Sequence, residues 1–287
     1  MLSIHSFFKR KKPDDIRYID VGETSSTNDY LKSILATLDG VEAVPRLTVA
    51  YADYQRAGRG QGTNHWESER GMNLLFSILC HPVWVPIASQ FIISEAQALA
   101  LRDALAALTD DITIKWPNDI YWKDRKISGT IIENSLHAGH ISNCIIGTGV
   151  NVNQTEFRSD APNPVSLKQI LGHDVDRQAL LHDIVTRFDA YLTDIRNGNY
   201  EKIVTLYASY LYRSHGFFPY RDKDGVFEAA IVEVEDDGHL ILRDRNDVIR
   251  SYAFKEVEVV PTGAPPVKAP PVTAKGRDTL PLRGGDD

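Results

Sequence analysis

Lys115-Trp116-Pro117-Asn118-Asp119 is the stretch on which the reading of this chain turns. A β-rich run containing Ile112 and Ile114 leads into Lys115. Pro117 stops that run, because proline lacks the amide donor a ladder needs and restricts the residue before it. Lys115 is thereby held at the end of a rigid element. Upstream, Gln55-Arg56-Ala57-Gly58-Arg59-Gly60 places a second cation, Arg59, in a glycine-rich loop. Taken alone, the lysine segment reads better as a bland strand-end lysine before a turn, and the glycine loop reads equally well as an ordinary hairpin. Taken together, they describe a site that activates an anion.

The rest of the composition makes these cations stand out. The chain has 287 residues, 43% of them hydrophobic, enough for one large domain and a small one. A net charge of −7 and a pI near 5.7 argue against a general nucleic-acid or membrane-surface binder, which needs a basic field. Arg56, Arg59, Arg70, Lys115, Lys123, Arg125 and Lys126 nevertheless cluster in or beside the two segments, whereas acids gather between Glu228 and Asp237. The expected partner is a small anion. Cys80 and Cys144 lie in apolar runs and read as core residues. No stretch is long and apolar enough for a membrane span, and Phe7-Phe8 followed by Lys9 to Lys12 is the wrong order for a signal peptide, so the cytoplasm is the expected location.

Along the chain, residues 1–14 read as a flexible basic leader and residues 261–287, with six of the 14 prolines, as a disordered tail. Ser25-Ser26-Thr27-Asn28 precedes an amphipathic run with Tyr30, Leu31, Ile34, Leu35 and Leu38, which predicts a capped helix whose first amides could receive a phosphate or carboxylate. Residues 47–51 and 73–80 read as strands around the glycine loop, residues 89–108 as an alanine-rich helix with Glu95 near its start. Further strands are expected over 112–115, 120–122, 128–134 and 144–151, then helices over 176–196 and 200–211. The expectation is an α+β fold, a mixed β-sheet flanked by helices over residues 15–212. After Gly216 the short alternating runs at 226–234, 239–243 and 248–254 predict a small β-barrel or sandwich over 213–260.

Several chemistries are excluded. No Gly-Lys-Ser/Thr follows Gly58-Arg59-Gly60, so it is no mononucleotide P-loop, and a dinucleotide fingerprint is missing as well. Neither cysteine has an electropositive context and no serine elbow occurs, which leaves no covalent nucleophile. The nine histidines form no recognisable metal set, and metal ligands cannot be named. Gly147 and Gly149 lie inside a strand just before Asn151 and Asn153. Glycines there imply either a ligand lying on bare backbone or a β-bulge.

In order along the chain, Ser26-Thr27-Asn28, Gln55 to Gly60 with Trp66, Lys115 to Asp119, Arg125-Lys126-Ile127-Ser128-Gly129 with Glu133, and Ile146-Gly147-Thr148-Gly149-Val150-Asn151 resemble the biotin protein ligases. The likeness spans roughly residues 16–260 and ends in Tyr252-Ala253-Phe254-Lys255-Glu256-Val257, similar to the last strand of that family's small C-terminal domain. It implies a catalytic domain of the class II aminoacyl-tRNA synthetase type with a Src-homology-3-like barrel behind it. It also implies an enzyme that makes biotinyl-5′-AMP from biotin and ATP with Mg2+, then transfers biotin to a lysine of a biotin carboxyl carrier protein. By position, Ser26, Thr27, Asn28, Gln55, Arg59, Gly60, Gln61, Lys115, Gly147 and Gly149 would bind biotin, and Arg59, Trp66 and Asn151 the nucleotide. Lys115 and Arg59 would be catalytic, holding carboxylate and α-phosphate together. The short leader points to the monofunctional type, without a DNA-binding domain, as a monomer or homodimer. Lipoate or octanoate ligases and transferases of the same superfamily are the alternatives, as is a biotin-binding module without turnover.

One departure generates a prediction. The family commonly has Gly-Arg-Gly-Arg-x-Gly, where this chain has Gly58-Arg59-Gly60-Gln61-Gly62-Thr63. An uncharged glutamine grips a phosphate less firmly than arginine. Gln61→Arg is therefore expected to slow release of the adenylate in a direct release assay; an unchanged rate contradicts this.

Overall fold

The computed structural model describes residues 16–36, 45–60, 62, 64–159 and 163–260. The leader, the tail, Gln61 and Thr63 lie outside the described residues. A seven-stranded mixed sheet carries the larger part of the fold, in the order β1-β2-β3-β7-β6-β5-β4. Its strands are β1 (Ile16–Thr24), β2 (Leu47–Gln55), β3 (Leu74–Cys80), β4 (Ile112–Lys115), β5 (Asp119–Trp122), β6 (Arg125–His137) and β7 (His140–Val150). Only β1 and β2 pair in parallel, and every other ladder is antiparallel. The β6–β7 hairpin turns at Ala138 and Gly139, both at positive φ (48° and 82°), the backbone a tight hairpin turn requires.

Side-chain alternation along the central strands sorts two cores onto the two faces of this sheet. Leu74, Phe76, Ile78 and Cys80 of β3 face the main core. That core is covered by α2 (Phe91–Ala106), α4 (Arg177–Arg196) and α5 (Tyr200–Ser209). α2 is buried nearly all round, from Ile92 to Leu101, because it lies between the sheet and α4 with α5. On the opposite face Leu79, Ile145, Ala50 and Ile19 pack with Leu31 and Ile34 of α1 (Thr27–Leu35). α1 covers only part of that face, and the uncovered part becomes the site. Cys80 and Cys144 are buried free thiols paired across β3 and β7, as core residues should be.

The C-terminal strands β8 (Phe218–Asp222), β9 (Gly225–Val234), β10 (Leu240–Asp244), β11 (Ile249–Tyr252) and β12 (Glu258–Val259) form a five-stranded sheet ordered β11-β10-β9-β8-β12. Its ladders are antiparallel. No ladder among the described residues joins β11 to β12, so the expected barrel is seen as an open strand order. β1, β8, β12 and the short α3 (Leu167–Leu171) had no counterpart in the sequence reading. No helix among the described residues is long and apolar enough to cross a membrane.

The two sheets meet at the Lys115–Asp119 turn. The Trp116 indole donates to the Gly238 carbonyl at 3.0 Å, its ring packs 5.8 Å from Phe254, and Asn118 donates to Ser94 Oγ at 3.1 Å. Gly238, at φ +95°, leaves room for Phe91, whose ring stands 2.6 Å from where a Cβ would lie. One helical turn on, Glu95 is 3% exposed, and its Oε2 has no hydrogen-bond partner among the described residues. Burial first, and Asp236 second, push its carboxyl pKa up to about 8. A folded-state value above the ordinary 4.5 means that the proton stabilises the fold. The contribution is complete below pH 4.5 and is lost as pH rises through 8. Glu95→Gln is expected to flatten the fall in Tm over that window and to leave the protein at least about 2 kcal/mol more stable at alkaline pH. A pH profile of thermal unfolding that keeps the wild-type slope contradicts this.

Candidate active site

The uncovered face of the large sheet opens into a cavity of about 1290 Å³, roofed on one side by the five-stranded sheet. Ser26, Thr27, Asn28, Gln55, Arg59, Gly60, Trp66, Lys115, Gly147, Gly149 and Asn151 all line it. Every candidate residue from the sequence that has a described position is therefore in one place.

The start of α1 forms the polar end. Ser26 occupies the N-cap position in extended backbone but makes no side-chain cap bond, contrary to the expected capped helix. Its hydroxyl has no bond among the described residues, because the local donors are arranged around β2 and β3 instead. Gln55 Oε1 accepts from the Thr27 amide at 2.8 Å and from Thr27 Oγ1 at 3.1 Å. Ser77 Oγ lies 2.6 Å from Thr27 Oγ1 and 2.5 Å from Asn28 Oδ1. Asn28 Nδ2 donates to Glu133 Oε2 at 2.8 Å. Buried polar side chains held by this many mutual bonds are rigid, and a rigid row of amides and hydroxyls suits recognition of a small polar ring.

Glycines form the floor. Register places Leu75, Gly149 and Gly129 side by side on β3, β7 and β6, with Ser77, Gly147 and Ile131 in the next row on the same face. A Cβ on Gly147 would stand 2.2 Å from Asn28 Oδ1, and one on Gly149 2.3 Å from Trp66 Cε2. The sequence left a ligand plane or a β-bulge as reasons for these glycines. The register of β6 and β7 is unbroken at both positions, so there is no bulge. The close approach comes from Asn28 and Trp66, which lie on bare backbone.

Trp66 reaches the floor because Gly58 to Trp66 folds as a hairpin: Trp66 N donates to Gly58 O at 3.0 Å and Gly60 N to Asn64 O at 2.7 Å. Gly58 must be glycine, since a Cβ would lie 2.9 Å from the Trp66 carbonyl. Behind it, the Glu67 carboxylate accepts from the Arg158 and Ser159 amides, at 2.8 and 2.7 Å. That contact ties the hairpin to the segment bearing Phe157, another lining residue. Asn151 is buried, its amide bonded to Ile127 O at 2.9 Å. Asn153 has a different task, bridging to Val175 through Nδ2 at 3.0 Å and Oδ1 at 2.9 Å, outside the cavity lining.

The cations are spread around this floor. Arg59 does not wait as a free fork: it pairs with Asp29 at 2.8 Å and approaches Glu133 at 3.6 Å. Both partners are partly exposed, so the pair is weak and an incoming anion can replace the acids at small cost. Lys115 donates to Tyr121 OH at 3.2 Å. Burial draws its ammonium pKa down, opposed by Asp119 and Glu258 and reinforced by Arg213. Lys126, named in the basic cluster but given no role from sequence, stands over the floor itself. Its Nζ is 3.1 Å from where a Cβ on Gly129 would lie, and 2.7 Å from Asp119 Oδ2. The signal was present in the paired Arg125-Lys126 before Gly129, but only the register shows which of the two cations faces inward. Trp66 Nε1 and the Tyr220 hydroxyl line the cavity with no hydrogen-bond partner among the described residues. Unspent buried donors of this kind are uncommon unless a ligand takes them. The one acidic and histidine cluster among the described residues that could hold an ion, Glu235, Asp237 and His239, is not part of this lining.

Gly149→Ala is expected to expel Trp66 from the floor, seen as red-shifted tryptophan emission. Unchanged emission contradicts this placement of Trp66.

Comparison with known proteins agrees with this picture. The sequence model described as Biotin/lipoate A/B protein ligase family matches residues 22–151. The bifunctional ligase/repressor BirA of Bacillus spizizenii is 28% identical over 215 residues, covering 73% of this chain and 65% of that protein. The chain thus spans just under two thirds of that relative's length. The biotin–[acetyl-CoA-carboxylase] ligase of Paracoccus denitrificans is 28% identical over 238 residues, covering 78% of this chain and 92% of that one. Among solved structures, the biotin protein ligase from Aquifex aeolicus in complex with biotin and ATP superimposes with a TM-score of 0.69 at 24% identity, covering 85% of this chain and 98% of that one. At that identity the likeness establishes the fold. Over residues 22–151 the chain carries a domain of the biotin/lipoate A/B protein ligase family.

Proposed function

We propose that the protein is a biotin protein ligase, with residues 15–212 as the catalytic domain and residues 213–260 as a small domain closing its site. The observation that carries this reading is the convergence of Arg59, Lys115 and Lys126 on one cavity with a glycine floor and a polar end. Ser26, Thr27, Asn28 and Gln55 receive the ureido ring of biotin. Trp66 stacks on the adenine of magnesium-bound ATP, and Asn151 contacts the nucleotide. The geometry favours Lys126 for the biotin carboxylate, because its ammonium stands on the floor over Gly129, beside Trp66.

The reaction brings a carboxylate against a triphosphate, two anions that repel. Fixed cations offset that repulsion and stabilise the charge that grows in the transition state. A carboxylate oxygen attacks the α-phosphorus, the α–β bridging bond breaks, and its electron pair leaves with pyrophosphate. The acceptor lysine of a biotin carboxyl carrier protein, as the free amine, then attacks the acyl carbon and AMP departs. Two free buried thiols fit a reducing compartment, and on that basis we assign the reaction to the cytoplasm.

Incubated with ATP, magnesium and biotin, a purified carrier domain is expected to gain the mass of one biotinyl group. Lys126→Ala and Lys115→Ala are each expected to lower that rate about 100-fold or more. No mass gain, or a gain with lipoate or octanoate in place of biotin, contradicts the reading.

A further inference from the structure

We propose that Lys255, delivered by the five-stranded sheet, binds the β- and γ-phosphates of the nucleotide and so holds the pyrophosphate leaving group. This rests on the adenylation proposed above. The cations around the floor, Arg59 paired with Asp29, Lys126 with Asp119 and Lys115 with Tyr121, are assigned above to the carboxylate and the α-phosphate. Lys255 lines the same cavity from the other wall and has no hydrogen-bond or ion-pair partner among the described residues. The acids beside it are occupied, Glu256 by the Ala253 amide at 2.8 Å and Glu258 by Arg221 at 2.7 Å.

Its backbone is held for the purpose of aiming the side chain. Lys255 has φ +73°, a left-handed conformation that non-glycine residues rarely adopt. The turn that imposes it is closed by the Glu256 amide bonding to Ala253 O at 3.1 Å. Phe254 anchors the turn against Trp116, next in sequence to Lys115. The ammonium so placed reaches the glycine hairpin, 2.7 Å from where a Cβ on Gly62 would be. Gly62 is itself at φ +66°, so the hairpin presents bare backbone to the cation.

The chemistry asks for a cation in that place. Lys126, Lys115 and Arg59 surround the floor, where carboxylate and α-phosphate meet. The bond that breaks puts its electron pair on the bridging oxygen of pyrophosphate, away from the carboxylate, and that charge needs its own partner. An unspent ammonium on the facing wall supplies it, with no proton transfer required.

Lys255→Ala, Lys255→Gln and Lys255→Arg test this by calorimetric titration with an α,β-methylene ATP analogue and with AMP, alongside biotin-dependent pyrophosphate exchange. The alanine and glutamine variants are expected to bind the triphosphate analogue about tenfold more weakly, to raise KM for ATP and pyrophosphate, and to leave AMP affinity and the biotin KM unchanged. Arginine is expected to restore the triphosphate affinity. Equal weakening for analogue and AMP, as a structural role would give, overturns the proposal, as does analogue affinity unchanged by alanine. Wild-type protein without biotin-dependent exchange would instead overturn the adenylation reading, while the calorimetric comparison would still judge Lys255.

Discussion

Two side chains resting on the bare backbone of one strand organise this molecule. Asn28 and Trp66 come from elements on either side of β2, yet both lie where Gly147 and Gly149 would otherwise carry methyl groups. A single added carbon at either position would meet atoms nearer than 2.5 Å, closer than packed interiors permit. That constraint sets the angle of α1, the path of the Gly58–Trp66 hairpin and the depth of the cavity. The row of bonds among Thr27, Gln55, Ser77 and Asn28 follows from the same contact, because it forms only when α1 lies close to β3 and β7.

Electrostatics then act on a prepared shape. The protein as a whole is acidic, and each cation near the floor is held by a carboxylate or a phenol: Arg59 by Asp29, Lys126 by Asp119, Lys115 by Tyr121. Such pairing keeps neighbouring like charges tolerable and is weak enough at partly exposed positions for a ligand anion to compete. Asp119 links the arrangement, since it pairs with Lys126 directly and also raises the affinity of Lys115 for its proton. The five-stranded sheet contributes the facing wall, fixed to the Lys115–Asp119 turn by Trp116.

Much of this could be read in the residues. Pro117 does end β4 and the hairpin restarts at Asp119, because proline's limits are local. The helix expected over 176–196 is α4, and the structure adds Asp176 as its N-cap, accepting from the Gln178 and Ala179 amides. The candidate side chains were legible as a set, since motif spacing carries chemistry even at low overall similarity. What was not legible depends on long-range register. β1 alternates poorly, with Asp20 and Gly22 in its middle, and exists through its ladder to β2. Ser26 looks like a helix cap but leaves that role because its neighbours are bonded across the sheet. The reason for Gly147 and Gly149 needed Asn28 and Trp66 in three dimensions. The inward aim of Lys126, and the reach of Lys255 from the second sheet to Gly62, depend on how strands and sheets meet.

The central claim is that one continuous cavity holds biotin at the α1 end and the nucleotide at the Trp66 end, with the cations between. Competition binding of a non-hydrolysable biotinyl-adenylate analogue tests it most directly. The account predicts a single site, with the analogue displaced by biotin and by ATP separately. Binding of the analogue that is unaffected by saturating biotin, or by saturating ATP, would contradict it.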